Sequence, residues 1–280
     1  MPGITGGGIT VQVDVADGAR ITSLTSGDRE WLAPSGPRSA GVFVQPGSGG
    51  WDEVVPTVAA CALDDGTALA DHGDAWQTPW ILDSADESQL QTSVRLTSLP
   101  ISLTRRIEAT ATGLRLSWSA STDAAVPVPL AWCAHPLFAA DAGTRLVTAT
   151  PVSELVEEYP RRGTPRGWPG AVGATAIKAF TDATQAGVDV VHANGDTLTL
   201  GWDPALLPYL GLYWDGGEFT DTPVVAIEPS TAFGDSSARA VAEGRIRMLV
   251  PGHLFRWWVQ LTANGPTETA PAAAREWPHD

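Results

Sequence analysis

The chain predicts an all-β protein, a large antiparallel β-sandwich, on three observations. Glycine (29) and proline (22) together make up about 18 % of the 280 residues, against roughly 12 % in average sequences. They fall as punctuation between short runs of alternating apolar and polar residues, the pattern of half-buried strands. Only one segment, "SSARAVAE", carries the start and stop signals of a helix.

The elements follow in order. "ITVQVDVADGARITSLTS" reads as strand, Asp-Gly turn, strand. "LQTSVRLTSLPISLTRRIEATATGLRLSWSAST" alternates through breaks near Pro100 and Gly113 and predicts three antiparallel strands. "GVDVVHANGDTLTLGW" sets Asn194-Gly195 between two alternating runs, a strong hairpin signal. "RIRMLVPGHLFRWWVQLT" predicts a second hairpin turning at Pro251-Gly252. The one helix is expected to start from Asp235 as N-cap and to stop at Gly244. No repeat or linker divides the strands, so residues 1–262 are expected to form one domain. The Ala/Pro/Thr-rich segment 263–280 reads as a C-terminal tail.

Composition narrows the function. A chain this long buries roughly three quarters of its unfolded surface and needs no staple. Its two cysteines, Cys61 and Cys133, are too few for a disulfide framework and fit a reducing compartment. The N-terminus has neither a basic n-region nor an apolar h-region, and no apolar run reaches 18 residues. A cytoplasmic protein is the expectation, monomeric or homodimeric. The formal net charge is −15, and Lys178 is the sole lysine. Such a field repels phosphate backbones and anionic headgroups, which argues against nucleic acid and membranes and leaves small neutral molecules as partners.

Three polar clusters stand out. In "LAWCAHPLFAADAG", His135 is isolated in a small, apolar run, either as a core histidine or as a site residue. In "DHGDAW", His72 stands between Asp71 and Asp74 and before a turn-permitting glycine. That cluster reads as a loop-rim imidazole, as a solvated acidic turn, or as a metal site. The metal reading lacks a second His or Cys at ligand spacing. In "VVAIEPST", Glu228 follows an apolar strand. Both His135 and Glu228 precede a proline, which drives them to extended backbone and places them at strand ends. Of the twelve tryptophans, Trp51, Trp76, Trp80, Trp132, Trp168 and Trp214 flank polar turns. An apolar face beside hydrogen-bonding groups suits a pyranose, which has C–H patches and a rim of hydroxyls.

In this order, "GGWDEVVPTV", "DHGDAW", "HPLF", "LGLYWDGG" and "AIEPST…D" resemble the aldose 1-epimerases of the galactose-mutarotase-like superfamily. With "ARITSLTSGDREWL" near the start, the resemblance spans residues 9–262. It implies a β-supersandwich and the interconversion of α and β anomers of a free sugar. In that reaction a base takes the anomeric proton, an acid protonates the ring oxygen, the ring opens, and it recloses on the other face. The resemblance assigns Glu228 as general base, His135 as general acid and His72 as the second, ring-oxygen-side histidine. A carboxylate is ionised at neutral pH, and an imidazole donates once a carboxylate or bound sugar favours its charged form. No metal or other cofactor is called for. Asp52, Glu53, Asp215, Trp76 and Trp132 are the expected substrate-binding residues, the acids as hydroxyl acceptors. The alternative is a carbohydrate-binding protein of the same fold without turnover.

Two departures bear on the substrate. Family members carry an arginine about three residues after the His-Gly glycine, where this chain has Ala75 and Trp76. The hexose-6-phosphate branch carries another just before its first Gly-Gly, where residues 45–48 hold none. Neutral sugars are therefore expected to exchange anomers faster than their 6-phosphates at low ionic strength. Exchange rates for glucose and galactose against glucose and galactose 6-phosphate check this, and a preference for the phosphates would contradict it.

Overall fold

The structure, a computed structural model, describes residues 1–38, 41–44, 47–166 and 175–265. Among these residues an 11-stranded and an 8-stranded antiparallel sheet account for most of the structure. Across the larger sheet the order is Gly3–Gly6, Ile9–Asp14, Arg20–Ser26, Gly50–Val54, Cys133–Ala139, Val224–Ser230, Tyr209–Asp215, Ile177–Thr181, Leu155–Tyr159 and Thr164–Arg166. The short strand Arg29–Glu30 adds to Arg20–Ser26. The smaller sheet is built around Phe255–Asn264, Gly113–Thr122, Ile101–Thr110 and Gln89–Arg95. One apolar cluster, from Ile4 to Leu261, draws on strands of both sheets. Among the described residues no helix is long and apolar enough to cross a membrane.

The alternating runs fold as they read. Ile9–Asp14 pairs with Arg20–Ser26, Gln89–Arg95 with Ile101–Thr110 and then Gly113–Thr122, and Gly187–Val191 with Thr197–Trp202. The second hairpin does not form. Arg247–Leu249 pairs instead with Val128–Leu130, while Phe255–Asn264 enters the smaller sheet between Gly113–Thr122 and Thr197–Trp202. The reason lies in its side chains. Trp257, Val259 and Leu261 are almost fully buried in the apolar cluster between the sheets, a face that an isolated two-stranded ribbon could not cover. The tail boundary moves as well, because the last strand runs through Asn264. The rest of the Ala/Pro-rich segment, from residue 266, lies outside the described residues.

The helix spans Ser237–Ala242, and its N-cap is Ser236, whose hydroxyl accepts from the Arg239 amide, not Asp235. The Asp235 carboxylate is drawn elsewhere, to within 3.6 Å of Lys178 Nζ.

A buried ionic knot joins the sheets. Glu53, fully buried in the larger sheet, accepts from Arg105 (3.0 Å), from Trp118 Nε1 (3.0 Å) and from Trp132 Nε1 (2.7 Å). Arg105 and Trp118 stand opposite each other on paired strands of the smaller sheet. Arg105 Nη2 donates to the Ala19 carbonyl. Because side chains alternate along a strand, Glu53 faces the smaller sheet and its neighbour Asp52 faces away from it. That outward face is covered too, since every residue of Gly50–Val54 and of Val224–Ser230 is buried. Removing one partner of such a buried pair strands the other charge. Arg105→Met is expected to cost about 3–5 kcal/mol, measured by urea unfolding. Glu53→Gln strands the Arg105 charge in the same way and should cost a comparable amount.

Candidate active site

The site is built where one hydrogen-bond ladder opens. Cys133–Ala139 and Val224–Ser230 are neighbours, with Cys133 opposite Ser230 and Leu137 opposite Ala226. The same register sets His135 directly opposite Glu228, and no ladder pair is made between those two anchors. Pro136 and Pro229 are the cause. Each lacks the N–H that a ladder needs, so the two strands part at the point where the polar residues meet. The prolines thus lie within strands, and neither His135 nor Glu228 sits at a strand end. Opposite residues of an antiparallel pair share a face, and His135 Nε2 lies 3.9 Å from Glu228 Oε1.

Glu228 has no exposed surface. Its Oε2 accepts from the Cys133 thiol at 3.0 Å and from the Lys178 ammonium, while its Oε1 has no hydrogen-bond partner among the described residues. Lys178 stands two strands away, on Ile177–Thr181, and reaches Glu228 by lying across Gly211, which pairs with Glu228 on the intervening strand. A Cβ on Gly211 would meet Lys178 Cε at 3.0 Å and Nζ at 3.2 Å. The glycine is therefore the gap through which the lysine passes.

His72 comes from the loop before Ala75–Gln77. Its φ of 58° is left-handed, uncommon for a residue with a side chain, and Gly73 follows at 72°. The loop is held by Asp74, which accepts from the backbone and hydroxyl groups of Thr97 and Ser98. At Gly73 a Cβ would strike the Val55 carbonyl. Held this way, His72 pairs Nδ1 with Asp71 at 2.7 Å and stacks on Phe43, with ring centroids 3.7 Å apart. The His72 and His135 rings are 5.6 Å apart and nearly perpendicular.

These groups line a cavity of about 270 Å³, together with Tyr159, Tyr213, Phe219 and Asp235. A larger open cleft of about 670 Å³ lies elsewhere, beside Gly27, Arg29 and Asp196. There the cation Arg29 is already tied to Asp196 at 2.5 Å, and no histidine lines the cleft among the described residues.

The structure thus brings His72, His135 and Glu228 together. It does not bring the five expected substrate-binding residues to the cavity wall. Glu53 and Trp132 belong to the inter-sheet knot. Asp52 is buried beside Arg38 (2.5 Å) and Arg20 (3.9 Å). Trp76 packs edge-on behind Phe43 and donates to the Gly73 carbonyl. Asp215 accepts from the amides of Gly217, Glu218 and Phe219 and from the Thr220 hydroxyl, so it staples the loop that carries Phe219 and Thr220 to the wall. Trp51, Trp80 and Trp214 are buried and Trp168 lies outside the described residues, so phenylalanine and tyrosine supply the aromatic surface. Sequence reasoning missed Lys178, Asp235 and Phe43. Lys178 had one signal, as the sole lysine in the otherwise apolar "AIKAF".

The electrostatics follow from burial. Desolvation pushes the His135 pKa down to about 3, although the Glu228 charge opposes it. Burial pushes Glu228 up, but Lys178 first and His135 second outweigh it, and the carboxyl ends below its ordinary value. Desolvation raises Asp235 to about 6 against the pull of Lys178. Lys178 is itself raised, because Glu228 and Asp235 overcome its desolvation. Unfolded, His135 would take a proton near pH 6.5. Folded, it does so only near 3, so the stability it contributes is complete above pH 6.5 and is lost as pH falls toward 3. The ¹⁵N resonances of His135 are expected to report a neutral ring from pH 8 to about pH 4. A midpoint near 6.5 would mean that water reaches the ring freely.

Among the described residues no group of three or more His, Cys, Asp and Glu is arranged to hold a metal ion. No family model and no curated protein matches the chain. Solved structures do. A candidate aldose 1-epimerase from Escherichia coli K12 superposes with a TM-score of 0.75 at 17% identity, over 94% of this chain and 98% of that one. A galactose mutarotase-like protein from Lactobacillus casei gives 0.74 at 16% identity, over 94% and 100%. A candidate mutarotase from Salmonella typhimurium gives 0.68 at 14%, over 93% and 88%. At these identities the likeness concerns architecture, and the chain has the galactose mutarotase-like β-sandwich fold.

Proposed function

We propose that the protein is an aldose 1-epimerase acting on a free, non-phosphorylated monosaccharide. The observation that carries this reading is the meeting of His135 and Glu228 across the opened ladder, with the unpartnered Glu228 Oε1 3.9 Å from His135 Nε2. A cavity of about 270 Å³ lies just below the size range of drug-sized ligand pockets, which suits one sugar ring. Its single lysine is already engaged by two carboxylates, which leaves a phosphate no free cation among the described lining residues. The shared fold supports the reading by analogy.

In this mechanism Glu228, ionised, takes the anomeric hydroxyl proton through Oε1. The C1–O5 bond breaks as C1=O1 forms, and the ring oxygen receives a proton from the His135 ring N–H. Burial keeps the free imidazole neutral, so the proton resting on Glu228 replaces the one His135 gives up. Net, one proton moves from O1 to O5 and both side chains return to their starting states. Rotation about C1–C2 and the reverse steps yield the other anomer. His72, oriented by Asp71 and backed by Phe43, offers its second ring nitrogen to the sugar.

Anomer exchange measured by saturation-transfer NMR over a panel of free sugars tests this. Glu228→Gln and His135→Asn should each retain sugar binding by calorimetry and lose about 10²-fold or more in exchange. The double variant should be little worse than the poorer single one. Wild-type activity should show no decline through pH 6.5, since no imidazolium is being lost there. Sugar binding without exchange above the buffer rate would identify a carbohydrate-binding protein instead.

A further inference from the structure

We propose that Lys178 is the positioning residue of the Glu228 base: its buried ammonium occupies Oε2, so that proton exchange with a sugar runs through Oε1 alone. This rests on the reading of Glu228 as the base. Lys178 is 4% exposed, and burying an ammonium is costly unless paired carboxylates compensate. Here two do, Glu228 and Asp235, the latter with Oδ1 at 3.6 Å. The Cys133 thiol is the second donor on the same Oε2. With that oxygen occupied by two donors and Oε1 bare among the described residues, the carboxylate has one open oxygen, and it faces the His135 side.

The path the lysine takes supports a built arrangement. It crosses the one intervening strand through the space at Gly211, where any larger residue would press on its last two atoms. The groups facing Glu228 are His135 and Cys133 on one neighbouring strand and Tyr213 on the other. Lys178 comes from the next strand, Asp235 from the segment before the helix, and His72 from the loop above. Lys178 is the only lysine or arginine among them. Without it, Glu228 and Asp235 would be two buried carboxylates facing each other, and one would take a proton near neutrality. An amine lone pair for imine formation with the open-chain aldehyde is not on offer, because both carboxylates hold the proton on Nζ.

The test reads Glu228 directly. In protein labelled with ¹³C at glutamate carboxyls, the Glu228 resonance is followed against pH in wild type, Lys178→Met, Lys178→Arg and Gly211→Ala. The wild-type midpoint is expected below the usual glutamate value. Lys178→Met should raise it by about 1–3 pH units, Lys178→Arg should keep it low, and Gly211→Ala should raise it less than Lys178→Met. The acid limb of kcat/KM should move by the same amounts. Equal midpoints in wild type and Lys178→Met would overturn the proposal. So would trapping of a sugar on Lys178 by borohydride, which would make it a nucleophile. Should Lys178→Met fail to fold, the Gly211→Ala midpoint decides, and no movement there counts against the proposal. The titration needs no turnover. Absence of anomer exchange in wild type would remove the epimerase reading while leaving the midpoints to judge Lys178.

Discussion

The register between Cys133–Ala139 and Val224–Ser230 is the constraint on which the site depends. A slip of one residue would send every side chain of a strand to the other face. His135 would then enter the inter-sheet core and Glu228 would lose its partners. Two anchors prevent this, Cys133 against Ser230 and Leu137 against Ala226. Between them the ladder is absent, and the prolines that remove it also hold the residues before them in extended backbone. A fixed register with a local opening lets two ionisable side chains stand opposite each other without competing amide hydrogen bonds.

The same alternation separates structure from chemistry along the strand Gly50–Val54. Glu53 points inward and is satisfied by Arg105 and two indoles, which ties the sheets together. Asp52 points outward, next to His135 in register, yet Arg38 covers it and packs on the Phe43 and Trp76 rings. Adjacent acids in one motif therefore have different tasks, and neither lines the cavity. On the far side of Glu228 the same pairing recurs, where Lys178 crosses Gly211 to meet a carboxylate that would otherwise be buried without a cation.

Burial on both faces also sets the protonation states. Desolvation keeps His135 neutral, with Lys178 acting in the same direction, while in the same setting the Lys178 charge keeps Glu228 ionised. That asymmetry divides the work between two groups whose ordinary pKa values lie close together.

Local pattern was enough to predict the sandwich class from its alternating runs, and to find the Asp-Gly and Asn-Gly turns and the short helix, which depend on contacts within a few residues. It also marked His72, His135 and Glu228, because a polar residue in an apolar run beside a proline or glycine is conspicuous in one dimension. Local pattern misjudged the helix cap, where Ser236 and Asp235 are equally good candidates until a lysine 57 positions earlier claims the aspartate. It misplaced the turn at Pro251-Gly252, whose flanking strands belong to different sheets. Only the tertiary structure could separate the acids that hold the fold from those that face the cavity, and only it could recruit Lys178 and Phe43. Those assignments depend on which strands become neighbours and which glycine leaves room between them, and both are set by long-range packing of the two sheets.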